Sequence, residues 1–488
     1  MASNRDATAT WIYHDGTKHS YESIRRNRHA LDWSNQPLPF KIYSSLEPIA
    51  LPSDTPAVQM PTLTAIAAPK EILRSEHTPD LSILATILFL SAGITKKRTY
   101  PGGEIYFRAA ANTGALYHID LYLVCGDLPG LSAGVYHFGP HDFSLRRLRE
   151  GDYRSLLVQA SGEEPMIKHA PATIICTSTF WRNAWKYQAR TYRHCFWDAG
   201  TLLANYLAAS VACGMSTKIV AGFVDAEVNR LIDLDTDREV ALALLPLGHV
   251  QQSTPPSPPA LPLDLPTVRL SANEVDYPAI RVMHAASSLV DELAVKEWRD
   301  IVTMTSETSP SGKLFPLAPL SDTELPPAPL EQVIRHRGST RHFTHQPISL
   351  AQLSTILQRS TPGVPADFLS PFGTTLTNVY LLVNAVENLP PGAYVFHRER
   401  QSLELLQEGN FRREAGYLGL GQELPADASV NLFCLANLPP ILERFGNRGY
   451  RAVQVESAII GGKFYLAAYQ HPANAFLVEP VGAALPTL

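Results

Sequence analysis

Three separated segments of this chain recur at one fixed displacement, and that regularity restricts the fold more tightly than composition does. AGVYHF (Ala133 to Phe138) returns as PGAYVF (Pro391 to Phe396), REGDYR (Arg149 to Arg154) as QEGNFR (Gln407 to Arg412), and YQARTYR (Tyr187 to Arg193) as FGNRGYR (Phe445 to Arg451), each 258 positions on, as from Gly134 to Gly392. The period far exceeds the roughly 20 to 50 residues of a solenoid repeat, so the duplicated unit is a whole domain. In each copy an apolar helical stretch (LATILFLSAGI; LSTILQRSTPGV) precedes strand-like runs (IDLYLVCG; NVYLLVNA) and a last helix (GTLLANYLAAS; IIGGKFYLAAY). Helices mixed with hairpin strands indicate an α+β fold, an antiparallel or mixed sheet flanked by helices, and not a doubly wound parallel sheet. The last helices, around Leu202 to Ala209 and Ile459 to Ala467, are apolar on more than one face. The two copies are therefore expected to pack on each other as a pseudo-dimer within one chain.

Proline-dense stretches at Thr254 to Pro266 and Leu325 to Leu330 cannot continue a helix or a central strand. They divide the chain into a first copy over 11–250, a connector over 251–329 and a second copy over 330–488. Val282, Ala285, Ala286, Leu289, Val290, Leu293 and Val295 recur at near-helical spacing, which predicts one amphipathic helix over Pro278 to Met304 in the connector. Gly248 and Gly482 look like the same terminal feature but lie 234 positions apart, so the second copy is 24 residues shorter after its last helix. Either a segment has been lost or a loop is missing near Tyr469 to Pro472.

Lys and Arg number 41 against 46 Asp and Glu, a net charge of −5, and no basic tract exists to release counterions from nucleic acid or an anionic membrane. The longest apolar run, Leu81 to Ile94, falls short of the roughly 20 residues that span a bilayer and reads as a buried helix. The start of the chain lacks the apolar core of a secretory signal. Five cysteines at wide spacings form no CxxC pair, so neither a disulfide framework nor a zinc knuckle is expected, and a reducing cytoplasm fits. The histidines give no metal-ligand pattern, and neither a GxGxxG nor a GxxxxGK[ST] motif is present.

In RGSTRHF the residues Arg337, Ser339 and Arg341 alternate and share one face of an extended segment. Two guanidiniums and a hydroxyl suit a phosphate monoester, because Arg offers forked donors and stays charged; a solvated basic turn is the plain alternative. Arg25, Asn27 and His29 echo that spacing in the first copy with less charge. In WRNAWKYQARTYR the cations Arg182, Lys186, Arg190 and Arg193 could line one helical face beside Tyr187. Lys and Tyr both titrate near 10 in water, and a cationic neighbourhood can bring one of them down to a useful acid or base. The second copy has Arg444-Phe445 where the first has Lys186-Tyr187. Finally, Arg108 to Tyr122 carries a loop of small residues with Asn112, Thr113 and Gly114, which permits close approach to a flat ligand or is an ordinary turn.

Together these segments resemble the nitroreductase-like flavoprotein superfamily, and within it the SagB/ThcOx type of azoline dehydrogenase from ribosomal-peptide biosynthesis. RAAANTGALYHIDLYLV is similar to that family's RxxPSAGALYPxELYxV block, AGVYHF with RLREGDYR to its strand and GD block, WKYQARTYRHCFWDAG to its KYGxRGYRxxxxEAGH segment, and RGSTRHF to the RxSxRxF motif that holds a flavin phosphate. Asn112-Thr113 stands for the usual Ser-Ala and Asp198 for the usual Glu. The resemblance implies FMN at the interface of two nitroreductase folds, here both in one chain, held by Arg337, Ser339, Arg341, Arg108, Asn112, Thr113, Gly114, Arg190 and Arg25. It implies Lys186 and Tyr187 as proton-transfer groups while the flavin takes a hydride from a thiazoline or oxazoline. Three readings stay open: that azoline dehydrogenase on a peptide or small molecule, with a cyclodehydratase as its expected partner; an NAD(P)H-dependent nitroreductase-like enzyme; and a silent flavin-binding scaffold. The assembly would be a monomer or a homodimer of pseudo-dimers.

Overall fold

A computed structural model of the chain describes residues 4–27, 29–67, 76–101, 103–252, 254–301, 309–469 and 476–479. Two six-stranded sheets carry the two copies. The first runs in the order Pro48–Ala50, Ser144–Glu150, Gly134–Gly139, Ile119–Cys125, Ala172–Thr179, Glu239–Leu247. The second repeats it as Lys313–Pro316, Ser402–Glu408, Gly392–His397, Asn378–Val383, Val430–Leu435, Phe476–Glu479. The registers repeat as well, with Leu121 opposite Cys176 and Val379 opposite Cys434. The last strands differ. Glu239–Leu247 lies antiparallel to its neighbour, whereas Phe476–Glu479 lies parallel to its own, so the shorter connection in the second copy brings its strand back in the other sense.

Between the sheets two long helices, Thr191–Ala212 and Asn447–Ala468, pack along each other. Gly200 sits against Ala458 and Gly462 against Ala204, each residue meeting its own counterpart 258 positions away. A helix can touch itself in this way only where a two-fold axis passes. A methyl on Gly462 would lie 2.5 Å from that of Ala204, and one on Gly200 would overlap Ala458, so each contact tolerates one methyl and not two. The same axis appears at Pro61 and Pro329, where the Thr62 N–H donates to the Ala328 carbonyl (3.1 Å) and the Leu330 N–H to the Met60 carbonyl (2.9 Å).

The stretch expected to be a linker holds the beginning of the second copy. Instead of one helix over Pro278 to Met304 there are two, Pro278–Ala286 and Glu292–Arg299, and 302–308 lie outside the described residues. They break because the Ser287 and Ser288 hydroxyls turn back onto the His284 carbonyl (3.1 and 2.8 Å), while Asp291 caps a new helix through the Ala294 N–H (2.8 Å). This pair repeats Thr8–Thr17 and Tyr21–Arg26. Arg193 donates to the Thr17 hydroxyl and the His14 carbonyl, as Arg451 does to the Ser287 hydroxyl and the His284 carbonyl. The second copy thus starts near Pro278 rather than Leu330, and the linker proper is the proline-rich run before it. The displacement is 270 positions from His14 to His284 but 258 after the hairpin Ile94–Tyr100 and Gly103–Arg108, which the first copy carries and the second lacks. A search at 258 therefore loses register upstream of the hairpin. The proposed gap near Tyr469 to Pro472 falls largely on 470–475, outside the described residues.

The expected buried helix is Leu81–Ala92, and all five cysteines are free. Among the described residues no helix is long and apolar enough to cross a membrane. Inside the second copy Glu456 accepts from the Leu376 N–H (2.9 Å) and the Thr377 hydroxyl (3.2 Å), and burial pushes its carboxyl up to about 7.

Two outcomes follow for stability. Gly200→Val should lower it by about 1–3 kcal/mol in urea unfolding through overpacking at the axis, whereas Gly16→Ala, at an open helical position, should raise it by about 0.5–1 kcal/mol. Glu456 binds its proton more tightly folded than unfolded, so the stability it lends is complete below pH 4.5 and is lost as pH rises through about 7. Glu456→Gln should match wild type at pH 4 and exceed it by roughly 1–3 kcal/mol at pH 8.

Candidate functional site

The first central helix carries Asp198, Thr201 and Asn205 at positions i, i+3 and i+7, one polar stripe along its middle turns. All three grip the loop that enters strand Ile119–Cys125. Asp198 Oδ1 accepts from the Thr113 N–H (2.9 Å) and hydroxyl (2.7 Å), Thr201 donates to the Ala111 carbonyl (2.7 Å), and Asn205 donates to the Ala109 carbonyl (3.1 Å). The other Asp198 oxygen meets His118 Nε2 (2.7 Å), whose Nδ1 meets the Ser178 hydroxyl (2.8 Å). Asn112 accepts from the Tyr117 N–H (2.7 Å), closing a turn in which Gly114 (φ 65), Ala115 (φ 55) and Tyr117 (φ 48) are all left-handed. Only a loop fastened at several points holds two non-glycine residues in that region.

Helix Phe180–Tyr187 ends against this loop. A methyl on Gly114 would lie 3.0 Å from the Tyr187 hydroxyl, so the glycine leaves room for the phenol. Lys186 Nζ lies 5.3 Å from the centre of the Tyr187 ring, and His194 meets the same ring edge-on at 4.5 Å. Lys186 and Tyr187 are both half-buried. Burial, reinforced by Asp198, pushes the Tyr187 phenol up to about 12, and Arg190 opposes it only weakly. At neutral pH Tyr187 keeps its proton and can donate a hydrogen bond, so of the pair it is not the one that a cationic neighbourhood brings down.

The second copy reaches into this place through Arg337, whose Nε and Nη2 donate to the carbonyls of Ala109 and Arg108 (3.1 Å each). Its segment is pinned further by Tyr469, which donates to the Gly338 carbonyl and approaches the Thr340 hydroxyl (3.3 Å), and by His345 on Asp427 (2.6 Å). Ser339 and Arg341, between these pins, are exposed. Arg108 is buried under Phe40 and Tyr117, and burial draws it down to about 10. It donates to the Pro39 carbonyl (2.6 Å) and its Nε has no partner among the described residues.

Arg108, Asn112, Thr113, Gly114, Lys186, Tyr187 and Arg337 thus form one connected rim, to which Arg337 brings Ser339 and Arg341. Arg190 lies behind it, donating to the Thr17 carbonyl (2.6 Å) across the Trp197 ring, where it holds the first helix. Arg25 is exposed on Tyr21–Arg26 and is not drawn in; its place corresponds to Lys296 on Glu292–Arg299. Pairing of Pro61 with Pro329 instead makes PKEILRS, residues 69–75 and outside the described residues, the counterpart of RGSTRHF. The stripe Asp198, Thr201, Asn205 and the His118 bridge were not anticipated as a unit, although three polar residues at helical spacing inside an apolar helix are a readable sign that something polar is gripped.

These residues fit a flat, anionic ligand: exposed Ser339 and Arg341 for a phosphate, a glycine turn that admits a ring system, and a buried cation with an unused donor behind it. Among the described residues no cluster suits a metal ion.

Comparison with known proteins agrees with this architecture. A nitroreductase-type protein of Methanocaldococcus jannaschii is 24% identical over 203 residues, 40% of this chain and 98% of its own. The microcin B17-processing protein McbC of Escherichia coli is 28% identical over 160 residues, 32% of this chain and 55% of McbC. The crystal structure of a nitroreductase-type protein of Anabaena variabilis superposes with a TM-score of 0.74 at 27% identity, covering 95% of this chain and 92% of its own. The nitroreductase family matches residues 82–249 and 334–481, most of both copies, and the chain belongs to that family.

Proposed function

We propose that this protein is an FMN-dependent oxidoreductase that dehydrogenates a thiazoline or oxazoline ring in a peptide natural product. The observation that carries this reading is the Lys186–Tyr187 pair set against Gly114 of a loop that Arg337 holds from the other copy. Ser339 and Arg341, with Arg337, would hold the phosphate, while Arg108, Asn112, Thr113 and Gly114 would lie along the ring system. FMN, when bound, supplies acceptance of two electrons as a hydride. Converting an azoline to an azole also releases one ring proton, and Lys186 is the group we assign to receive it. Tyr187, kept protonated by burial, donates a hydrogen bond that orients the substrate ring.

Room for a flanking chain supports a peptide. A groove of about 500 Å³ opens beside the first turns of the helix that carries the pair, with Trp181, Ala184, Tyr277 and Ile280 on its apolar side and Arg238 and Glu274 among its charged lining, and Tyr277 hydrogen-bonds Gln188, the residue after Tyr187. Similarity to a microcin B17-processing protein supports the same setting. A cyclodehydratase is then the natural partner, since an azoline must be closed before it is oxidised.

Two variants separate holding the cofactor from using it. Arg341→Ala should weaken FMN binding by about one to two decades, the loss of one charge-assisted contact, measured by flavin fluorescence titration. Lys186→Ala should keep its flavin while turnover of an azoline peptide falls by about a hundredfold to ten-thousandfold. Full turnover in Lys186→Ala would refute the assigned role.

A further inference from the structure

A duplicated fold offers two pseudo-equivalent places for a cofactor between its copies, and here the two have diverged. We propose that the chain binds one flavin, between the first copy's loop and the second copy's RGSTRHF segment, and that the equivalent place has been rebuilt as a closed structural joint. The proposal rests on the flavin reading above.

The loop and the helix end that line the open place are both altered in their counterparts. Arg108 becomes Ala366, Thr113-Gly114 becomes Pro371-Phe372, and Lys186-Tyr187 becomes Arg444-Phe445.

The space is also filled. Trp298, only 2% exposed, donates from Nε1 to the Phe445 carbonyl (3.1 Å) and packs on the Phe445 and Phe368 rings at centroid distances of 5.8 and 6.3 Å. Phe445 is the counterpart of Tyr187, so the indole covers the position at which the open place presents its phenol. Counting from the helix caps Ser20 and Asp291, the residue in Trp298's place on the first copy is Asn27, a small exposed side chain hydrogen-bonded to Gln188 (2.9 Å). Residues 219–225 of the first copy lie across the second copy's loop. The Ile219 N–H donates to the Pro365 carbonyl (2.8 Å) and the Asp367 N–H to the Ile219 carbonyl (3.0 Å). The Asp367 carboxylate accepts from the N–H groups of Ala221 and Gly222 (2.9 and 2.8 Å). A methyl on Gly222 would lie 2.9 Å from Asp367 and 3.1 Å from Trp298, so the joint is tight.

Charge follows the same division. Asp225 pairs with Arg448 (2.6 Å) and Arg451 (2.7 Å), the counterparts of Arg190 and Arg193. Burial would raise its carboxyl, but the two guanidiniums outweigh burial and hold it well below the usual range. Among the described residues nothing answers Asp225 over the first copy's arginines: Arg190 donates to the Thr17 carbonyl and Arg193 to the Thr17 hydroxyl and the His14 carbonyl.

The test is a stoichiometry. Full-length protein stripped of flavin is titrated with FMN by calorimetry and by quenching of flavin fluorescence, for wild type and for Arg341→Ala. One FMN per chain is expected, with the whole of it bound 10- to 100-fold more weakly in Arg341→Ala. Two FMN per chain, or half of the flavin retained at wild-type affinity in Arg341→Ala, would overturn the single-site proposal while leaving the flavin reading intact. Failure of wild type to bind FMN at all would overturn the flavin reading and this proposal with it.

Discussion

The contact on which the rest depends is the crossing of the two central helices at Gly200, Ala204, Ala458 and Gly462. Close approach there needs one missing methyl at each level, and the copies supply it in alternation, glycine from the first copy at one level and from the second at the next. A homodimer could not do this, because one sequence would place glycine or alanine on both sides of each contact. The alternation fits each copy to the other and not to itself, and it turns the remaining faces of each helix toward its own copy, where Asp198, Thr201 and Asn205 reach the loop before Ile119–Cys125.

The polar stripe on that face depends on its partners. Buried polar groups are costly unless they are hydrogen-bonded, so Asp198, Thr201 and Asn205 are tolerable inside the helix only because each finds a loop amide, hydroxyl or carbonyl. The dependence runs both ways, since the loop holds left-handed residues that it would not adopt unaided. In the second helix the corresponding residues are Glu456, Ile459 and Lys463. Glu456 still anchors the strand entry, but Ile459 grips nothing polar, and Lys463 spends its ammonium on the Gly363 carbonyl (3.0 Å) in surroundings that draw it down to about 8. The scaffold is kept where a sheet must be entered and is relaxed where no turn has to be held open.

The duplicated α+β architecture was legible because sheet strands and the central helices keep one displacement from Arg108 to Ala212, and the packing of the two last helices followed from their apolar faces. The beginning of the second copy was not, because an eleven-residue surplus at the first copy's hairpin, a change from 269 positions at Leu84 and Leu353 to 258, puts the earlier helices out of register with the later ones. Arg25 resembled Arg337 through a two-residue spacing alone, at a displacement of 312 positions that no packed element shares. Of the candidate residues, those on the glycine loop and at the end of Phe180–Tyr187 come together through local chain geometry that a motif preserves. Arg190 does not join them, because an arginine one turn further along the chain meets the C-terminal carbonyls of Thr8–Thr17, and a contact 173 residues distant leaves no local signature.

Fusion also changes what substitution can do. In a symmetric dimer a tryptophan that fills one interfacial site fills both, and a segment lost from one subunit is lost from its partner, so site and scaffold cannot be separated. Once both copies lie in one chain, Trp298 can close one place while Asn27 leaves the other accessible, and Asp225 can neutralise Arg448 and Arg451 without touching Arg190 and Arg193. The closed joint contributes what an open site cannot: a buried aromatic cluster and a doubly paired carboxylate, whose disruption typically costs about 3–5 kcal/mol because it strands charge in the interior. Such a joint can carry the stability that a glycine-rich, half-exposed rim gives up, so the loss of chemistry on one side of the axis supports its retention on the other.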